Sequence, residues 1–216
     1  MKFIPIQTGQ WDRQPYFDHY FKQNRCTFSM TANIEITLLL GELKKRGMKL
    51  YPAFLYMLSR IVNAHVEFRM DIREEQVGFW EQMSPCYTIF HPENDTFSAI
   101  WTEYSSSYRS FMELYREDQL LYGESMGLFT KKDMPPHTFS VSMIPWVSFT
   151  GFNLNLDHGG SYLLPIITGG KYFREGKHVL LPVSLQVHHA VCDGYHAGMF
   201  LQELQQLADT CTDWMD

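Results

Sequence analysis

Cysteine is sparse in this chain and never paired. Cys26, Cys86, Cys192 and Cys211 lie far apart and form no C-x-x-C motif, so neither the common zinc signatures nor a disulfide framework has support. Free structural thiols in a reducing compartment are the expectation. Long apolar runs are missing as well. No stretch reaches membrane length and nothing after Met1 reads as a signal segment, which predicts a cytoplasmic protein with no membrane association. Basic charge is scarce: 18 Lys and Arg against 24 Asp and Glu leave a net charge of −6 and a pI near 5.8. Only Lys44-Lys45-Arg46 and Lys131-Lys132 form short basic runs. Phosphate backbones need a concentrated basic surface, so nucleic acid is excluded as a partner. Internal repeats, low-complexity tracts and linkers are absent too. A chain of 216 residues therefore reads as one domain with a real interior.

What is abundant is aromatic and soft apolar surface. Sixteen Phe, 12 Tyr, 5 Trp and 12 Met suit either a pocket for a flat, partly apolar ligand or a large aromatic core. Periodicity sorts the chain into helices and strands. Residues 11–22 carry Tyr16, Phe17, Tyr20 and Phe21 on one helical face, and 27–36 alternate as a half-buried strand. A short helix over 38–46 closes at Gly47, and Pro52 sits in the first turn of another reaching residue 62. Strands follow at 76–80, 86–90 and 96–101, then an amphipathic helix over 105–122. Further strands are predicted at 138–143, 148–154, 163–168 and 179–188, with a Gly-rich turn at Gly159-Gly160 and a closing helix through Ala197, Phe200, Leu201, Leu204 and Leu207. Mixed in this order, they predict an α/β fold, a sheet layer covered by helices.

The chemistry concentrates where the strand 179–188 runs into that closing helix. His188-His189-Ala190-Val191-Cys192-Asp193-Gly194-Tyr195-His196 gathers three imidazoles and a carboxylate in nine residues. Strand alternation puts His188 and His189 on opposite faces, so they do not serve one purpose together. Histidine is the natural general base near neutral pH. Two other readings of the residues stand beside that one: a hydrogen-bonded core pair, and a metal site from His189, Asp193 and His196, whose spacing is not a strong zinc signature.

The string His-His-Ala-Val-Cys-Asp-Gly, an aromatic and His resembles the active-site signature of the chloramphenicol acetyltransferase family. A looser H-x-x-x-D-G pattern marks other coenzyme A-dependent acyltransferases, including dihydrolipoyl acyltransferase cores. The likeness runs through Trp11-Asp12-Arg13, Tyr51-Pro52, Phe68-Arg69-Met70, His91 with Thr96-Phe97-Ser98-Ala99, Ser142-Met143-Ile144-Pro145-Trp146, Phe152-Asn153-Leu154-Asn155 and Pro165-Ile166-Ile167-Thr168. It implies that residues 1–216 form a single domain, a two-layer sandwich of a mixed β-sheet covered by helices.

The resemblance also implies roles. His189 would be the general base that takes a proton from a substrate hydroxyl as it attacks the thioester of acetyl-CoA, directly and without an acyl-enzyme. Ser142, rather than the nearby Ser148, would donate to the oxyanion, and Thr168 would hold a water near the reacting centre. Asp193 would pair with Arg13 in an architectural role, with His188 and His196 structural. Tyr20, Phe28, Phe97, Phe129, Leu154 and Tyr162 would line the acceptor pocket, and Trp146 would lie near the coenzyme. The implied acceptor is the primary hydroxyl of chloramphenicol, which gives antibiotic resistance; acetyl-CoA is a co-substrate, and neither a metal nor a permanently bound cofactor is implied. The implied assembly is a homotrimer with active sites between subunits. Departures from the pattern at Asp157-His158-Gly159-Gly160-Ser161 and Gly169-Gly170 touch the implied pocket. They keep open the same chemistry on another hydroxylated acceptor. A binding protein that lost turnover is a third reading, opposed by the presence of both His189 and Ser142.

Overall fold

One long strand organises the molecule. The computed structural model describes residues 1–7, 9, 11–156 and 160–215, and at its centre β10 (His178–His188) is buried along nearly its whole length. Val179, Leu181, Val183, Leu185 and Val187 point into the hydrophobic core, as the alternation predicts. The opposite face carries Ser184, Gln186 and His188, all buried, and buried polar groups need partners. They find them in the segment that crosses over them. Ser184 Oγ donates to the carbonyl of Phe152 at 2.6 Å, and Gln186 brackets Leu154, accepting from its amide at 2.7 Å and donating to its carbonyl at 2.8 Å. His188 Nε2 lies 2.9 Å from the Gly160 carbonyl.

This crossing corrects one expectation. Residues 148–154, predicted as a strand, are irregular; the Phe152 carbonyl and both backbone groups of Leu154 are met by side chains of β10 and not by a ladder. The predicted turn at Gly159-Gly160 falls partly outside the described residues.

The remaining strands are β1 (Phe3–Pro5), β2 (Thr27–Glu35), β3 (Met70–Arg73), β4 (Gln76–Trp80), β5 (Ser84–His91), β6 (Thr96–Trp101), β7 (Thr138–Ile144), β8 (Ile166–Gly170) and β9 (Phe173–Glu175). The main sheet runs β2-β10-β8-β7-β5-β6, with β9 also paired to β10, and a small sheet runs β1-β4-β3. Pairing is mixed: β7 is parallel to both β5 and β8, whereas β10 is antiparallel to β2 and β8.

Five helices accompany the sheets among the described residues: α1 (Gln14–Phe17), α2 (Thr37–Lys45), α3 (Leu50–Ala64), α4 (Tyr108–Tyr122) and α5 (Gly194–Asp209). Leu39 and Leu43 of α2, Phe54 and Leu58 of α3, Phe111 of α4, and Phe200 and Leu204 of α5 join the core with the apolar face of β10. Gly47 ends α2 as predicted, with φ of 65°. The amides of Gly47 and Met48 reach back to the carbonyls of Lys44 and Leu43, a closure that a side chain at Gly47 would strain. The predicted helix over 11–22 is only partly regular. After α1 the chain widens into a π-helical turn at Asp18–Gln23, where the Asn24 amide bonds the His19 carbonyl five residues back. That turn carries Tyr20.

Candidate active site

His189 emerges just past the end of β10, and its position is set by two aromatic rings. The Tyr20 ring stacks on the imidazole with centroids 4.0 Å apart and planes 8° from parallel. Phe28 of β2 meets it edge-on at 5.3 Å. The His189 amide donates to the Cys26 carbonyl at 2.8 Å, which ties the loop to the start of β2. Nδ1 is buried and has no hydrogen-bond partner among the described residues, leaving Nε2 as the ring nitrogen that faces outward. Stacking therefore fixes the orientation of this imidazole, a task that a carboxylate performs for the histidine of a Ser-His-Asp triad. His188 differs in every respect. It is 1% exposed, its Nδ1 accepts from the Ala190 amide at 3.1 Å and its Nε2 faces the Gly160 carbonyl. Burial, foremost, pushes its pKa down, so this ring is a neutral structural cross-link.

Asp193 caps α5. Its Oδ1 accepts from the Tyr195 amide at 3.0 Å, while Oδ2 accepts from Arg13 Nη1 at 2.9 Å, 180 residues away in sequence. Burial alone would raise the Asp193 pKa; the bond and charge of Arg13 and the charge of His196 outweigh it and hold the carboxyl at about 2. Nδ1 of His196 lies 2.9 Å from Asp193 Oδ1 and 3.2 Å from its amide nitrogen, so its protonation decides which contact is the hydrogen bond. The three groups considered for a metal thus divide: Asp193 and His196 engage each other, and His189 belongs to Tyr20 and Phe28. Among the described residues no cluster of three or more His, Cys, Asp or Glu is arranged to hold a metal ion.

Ser142 lies elsewhere. On β7 it pairs in register with Thr168 of β8, their hydroxyl oxygens 3.4 Å apart, and Thr168 in turn pairs with Ser184 of β10. His189 lies five residues beyond Ser184, so it stands roughly 17 Å further along the strand direction and two strands across. A base that deprotonates the attacking hydroxyl and a donor that meets the carbonyl oxygen must both reach the same reacting centre. Within one chain these two do not.

The other predicted site residues follow the same division. Tyr20 and Phe28 gather at His189. Phe97, Leu154 and Trp146 line a cleft of about 570 Å³ with Ser142, and Trp146 packs edge-on against Phe90 at 4.7 Å. Phe129 and Tyr162 line an adjoining cleft of about 1350 Å³, and Phe97 and Ser140 belong to both. Phe97, Phe129 and Trp146 are each more than half exposed, an apolar surface of the kind that marks a binding or association face.

Sequence reasoning missed Ser140, Thr88, Cys86 and Tyr51. Ser140 shares the face of Ser142 by strand alternation, so parity could have found it. Cys86 enters only because it pairs with Ser140 across β5 and β7, a partnership absent from local sequence. Burial raises the Cys86 pKa to about 11, which keeps it a thiol. The Gly169-Gly170 departure also gains a reason. A Cβ on Gly169 would sit 2.2 Å from Met143 Sδ, and one on Gly170 would sit 2.9 Å from the Phe149 ring, so neighbouring side chains fill the room. Of the departure at 157–161, residues 157–159 lie outside the described residues. Gly160 has φ of 69° and packs against the Arg25 side chain, 2.9 Å from where its Cβ would be.

Comparison with known proteins bears on this geometry. The family model for chloramphenicol acetyltransferase matches residues 1–205. The chloramphenicol acetyltransferase of Clostridium butyricum is 51% identical, with 100% of this chain and 99% of the relative covered. That of Campylobacter coli is 52% identical, with 96% and 99% covered. Among solved structures, a chloramphenicol acetyltransferase superposes with a TM-score of 0.83 at 19% identity, covering 96% of this chain and all of that one. A dihydrolipoamide acetyltransferase of Azotobacter vinelandii gives a TM-score of 0.65 at 16% identity, over 94% of this chain and 89% of that one; at such identities the likeness is one of fold. The fold and the near-complete sequence match agree, and the chain belongs to the chloramphenicol acetyltransferase family.

Proposed function

We propose that this protein transfers the acetyl group of acetyl-CoA to the primary hydroxyl of chloramphenicol and so confers resistance to it, acting in the cytoplasm as a homotrimer of single-domain chains. The observation that carries the reading is the imidazole of His189, stacked on Tyr20 with Nε2 outward, in a chain about half identical to named relatives over its full length. The imidazole removes the proton from the acceptor hydroxyl as its oxygen attacks the thioester carbonyl. The thiol of coenzyme A then leaves. A positioned base contributes a factor of about 10² to 10⁴. Ser142, partnered by Thr168, donates to the oxyanion that develops, worth about 3 kcal/mol, and Thr168 holds a water beside it. Phe97, Phe129, Leu154 and Tyr162 receive the acceptor together with Tyr20 and Phe28, and Trp146 lies against the coenzyme. Arg13 and Asp193 fix the turn that carries the base.

The distance between His189 and Ser142 along the sheet supports an arrangement in which one subunit supplies the base and its neighbour supplies Ser142. The exposed apolar cleft beside Ser142 is the surface such a neighbour would cover. Thiol release from acetyl-CoA, with and without chloramphenicol, tests the reading for the wild type and His189→Ala. Drug-dependent release that falls about 10² to 10⁴-fold in the variant is expected. A folded wild type that releases no thiol with chloramphenicol sinks the assignment. An analogue lacking the primary hydroxyl separates this acceptor from another hydroxylated one.

A further inference from the structure

A buried ion pair stands behind one wall of the acceptor cleft. Between α4 and β7, residues 123–137 have no regular secondary structure, and from Glu124 to Met134 most are exposed. This segment carries Phe129, which is 58% exposed, so the packing of its own ring holds it only weakly. Two attachments fix its middle. The first is a single bridge between Ala99 and Phe129, in which the Ala99 amide donates to the Leu128 carbonyl at 2.7 Å.

The second is Lys131. Its Nζ donates to Asp118 Oδ1 at 2.5 Å and to the Trp101 carbonyl at 3.0 Å, and it lies 3.8 Å from the centre of the Trp101 ring. A carboxylate, a carbonyl and an aromatic face together satisfy the three N–H groups of the ammonium. The other oxygen of Asp118 accepts from Thr102 Oγ1 at 2.7 Å, and Thr102 meets the Tyr87 hydroxyl at 2.8 Å. The side chains of Asp118 and Lys131 are 9% and 16% exposed. Such a pair costs desolvation and contributes little net stability over an apolar pair of the same shape, although removing one partner strands the other charge. What it supplies is geometry, because a fully partnered ammonium holds one position.

We propose that Lys131, through its pair with Asp118, is a positioning residue for the acceptor. It pins the segment 123–137 to the end of β6 so that Phe129 faces the cleft beside Phe97 and Tyr162. This rests on the reading that Phe129 lines the acceptor pocket. Lys131 touches no substrate in this scheme; it acts through Phe129, and acetyl-CoA binding at the Trp146 side is independent of it.

The test is a kinetic cycle on the full-length protein. Lys131→Met keeps the apolar stem and removes the charge. The KM for chloramphenicol should rise about tenfold, the size of one lost apolar contact, with kcat and the KM for acetyl-CoA within about twofold of wild type. In a Phe129→Ala background the same substitution should add less than about twofold, because both changes remove one interaction. Asp118→Asn, a milder change that keeps the Thr102 contact, should move the chloramphenicol KM in the same direction. Amide exchange in residues 123–134 should quicken in both variants. Effects of Lys131→Met and Phe129→Ala that multiply, or both KM values rising together with a falling Tm, overturn the proposal in favour of general destabilisation. A wild type inert towards chloramphenicol overturns the acceptor reading instead; exchange in 123–134 then decides the pin alone, and an unchanged rate in Lys131→Met overturns it.

Discussion

The two halves of the chemistry are built differently. At His189 the chain is self-contained: Tyr20, Phe28 and Cys26 come from the same chain and fix the ring before any ligand arrives, and the turn behind it is locked by the Arg13–Asp193 pair. At Ser142 the surroundings are open. The serine and Thr168 stand on rigid neighbouring strands, but the cleft in front of them is rimmed by Phe97, Leu154 and Trp146, all exposed. A base must be held against thermal motion to be useful at all. An apolar cleft can wait for its walls, since burying them when a neighbour docks is itself favourable. Under the proposed mechanism, the contrast would give the imidazole to the fold of one chain and leave the substrate space to be closed by a neighbour.

Mixing two inactive variants gives the largest effect and the most direct way to break this comparison. His189→Ala chains keep Ser142, and Ser142→Ala chains keep His189. If each site takes the two residues from different subunits, every mixed trimer contains one intact site, and co-refolding equal amounts recovers about a quarter of wild-type sites. Recovery near zero, with mixed trimers present by mass spectrometry, would mean that one chain supplies both groups. A smaller effect sharpens the same contrast. Ser142→Ala alone should lower kcat about 10² to 10³-fold with both KM values little changed, since an oxyanion donor acts on the transition state. A fall seen mainly in the KM for either substrate would make Ser142 a binding residue.

The His189 half was legible in local pattern, whereas at the Ser142 half the resemblance named Ser142, Thr168, Phe97, Leu154 and Trp146 but local pattern did not show how they meet. Alternation along β10 put His188 and His189 on different faces, as the structure has them, and Gly47 and the β4 and β6 boundaries follow from local patterning. The irregular crossing of residues 148–154 escaped because Ser184 and Gln186, more than 30 positions away, satisfy its backbone at Phe152 and Leu154. A run of alternating residues looks the same whether a strand or a row of side chains receives its hydrogen bonds. Likewise Cys86 meets Ser140 through the pairing of β5 with β7, which is non-local. The π-helical turn that aims Tyr20 at His189 reads as ordinary helix, since the two differ by one residue in hydrogen-bond spacing.

The smallest expected effect concerns the support behind the base. Asp193 is held at about 2, below its ordinary 3.8, so the folded state favours its charged form. That contribution is present at pH values above the ordinary one and is lost as pH falls from there towards 2. The Asp193 side chain is partly exposed, and solvent screening limits the pair to about 1 kcal/mol. Asp193→Asn keeps a capping oxygen for α5 but removes the charge facing Arg13. Urea unfolding at pH 6 should show the variant less stable by about that amount, and most of the gap should be lost by pH 2. A gap undiminished at pH 2 would assign the effect to cap geometry and remove the Arg13 pair from the account. Turnover gives the second readout. If the pair only supports the turn, kcat should fall less than about tenfold in Asp193→Asn, far short of the loss in His189→Ala, because Tyr20 and Phe28 still hold the ring.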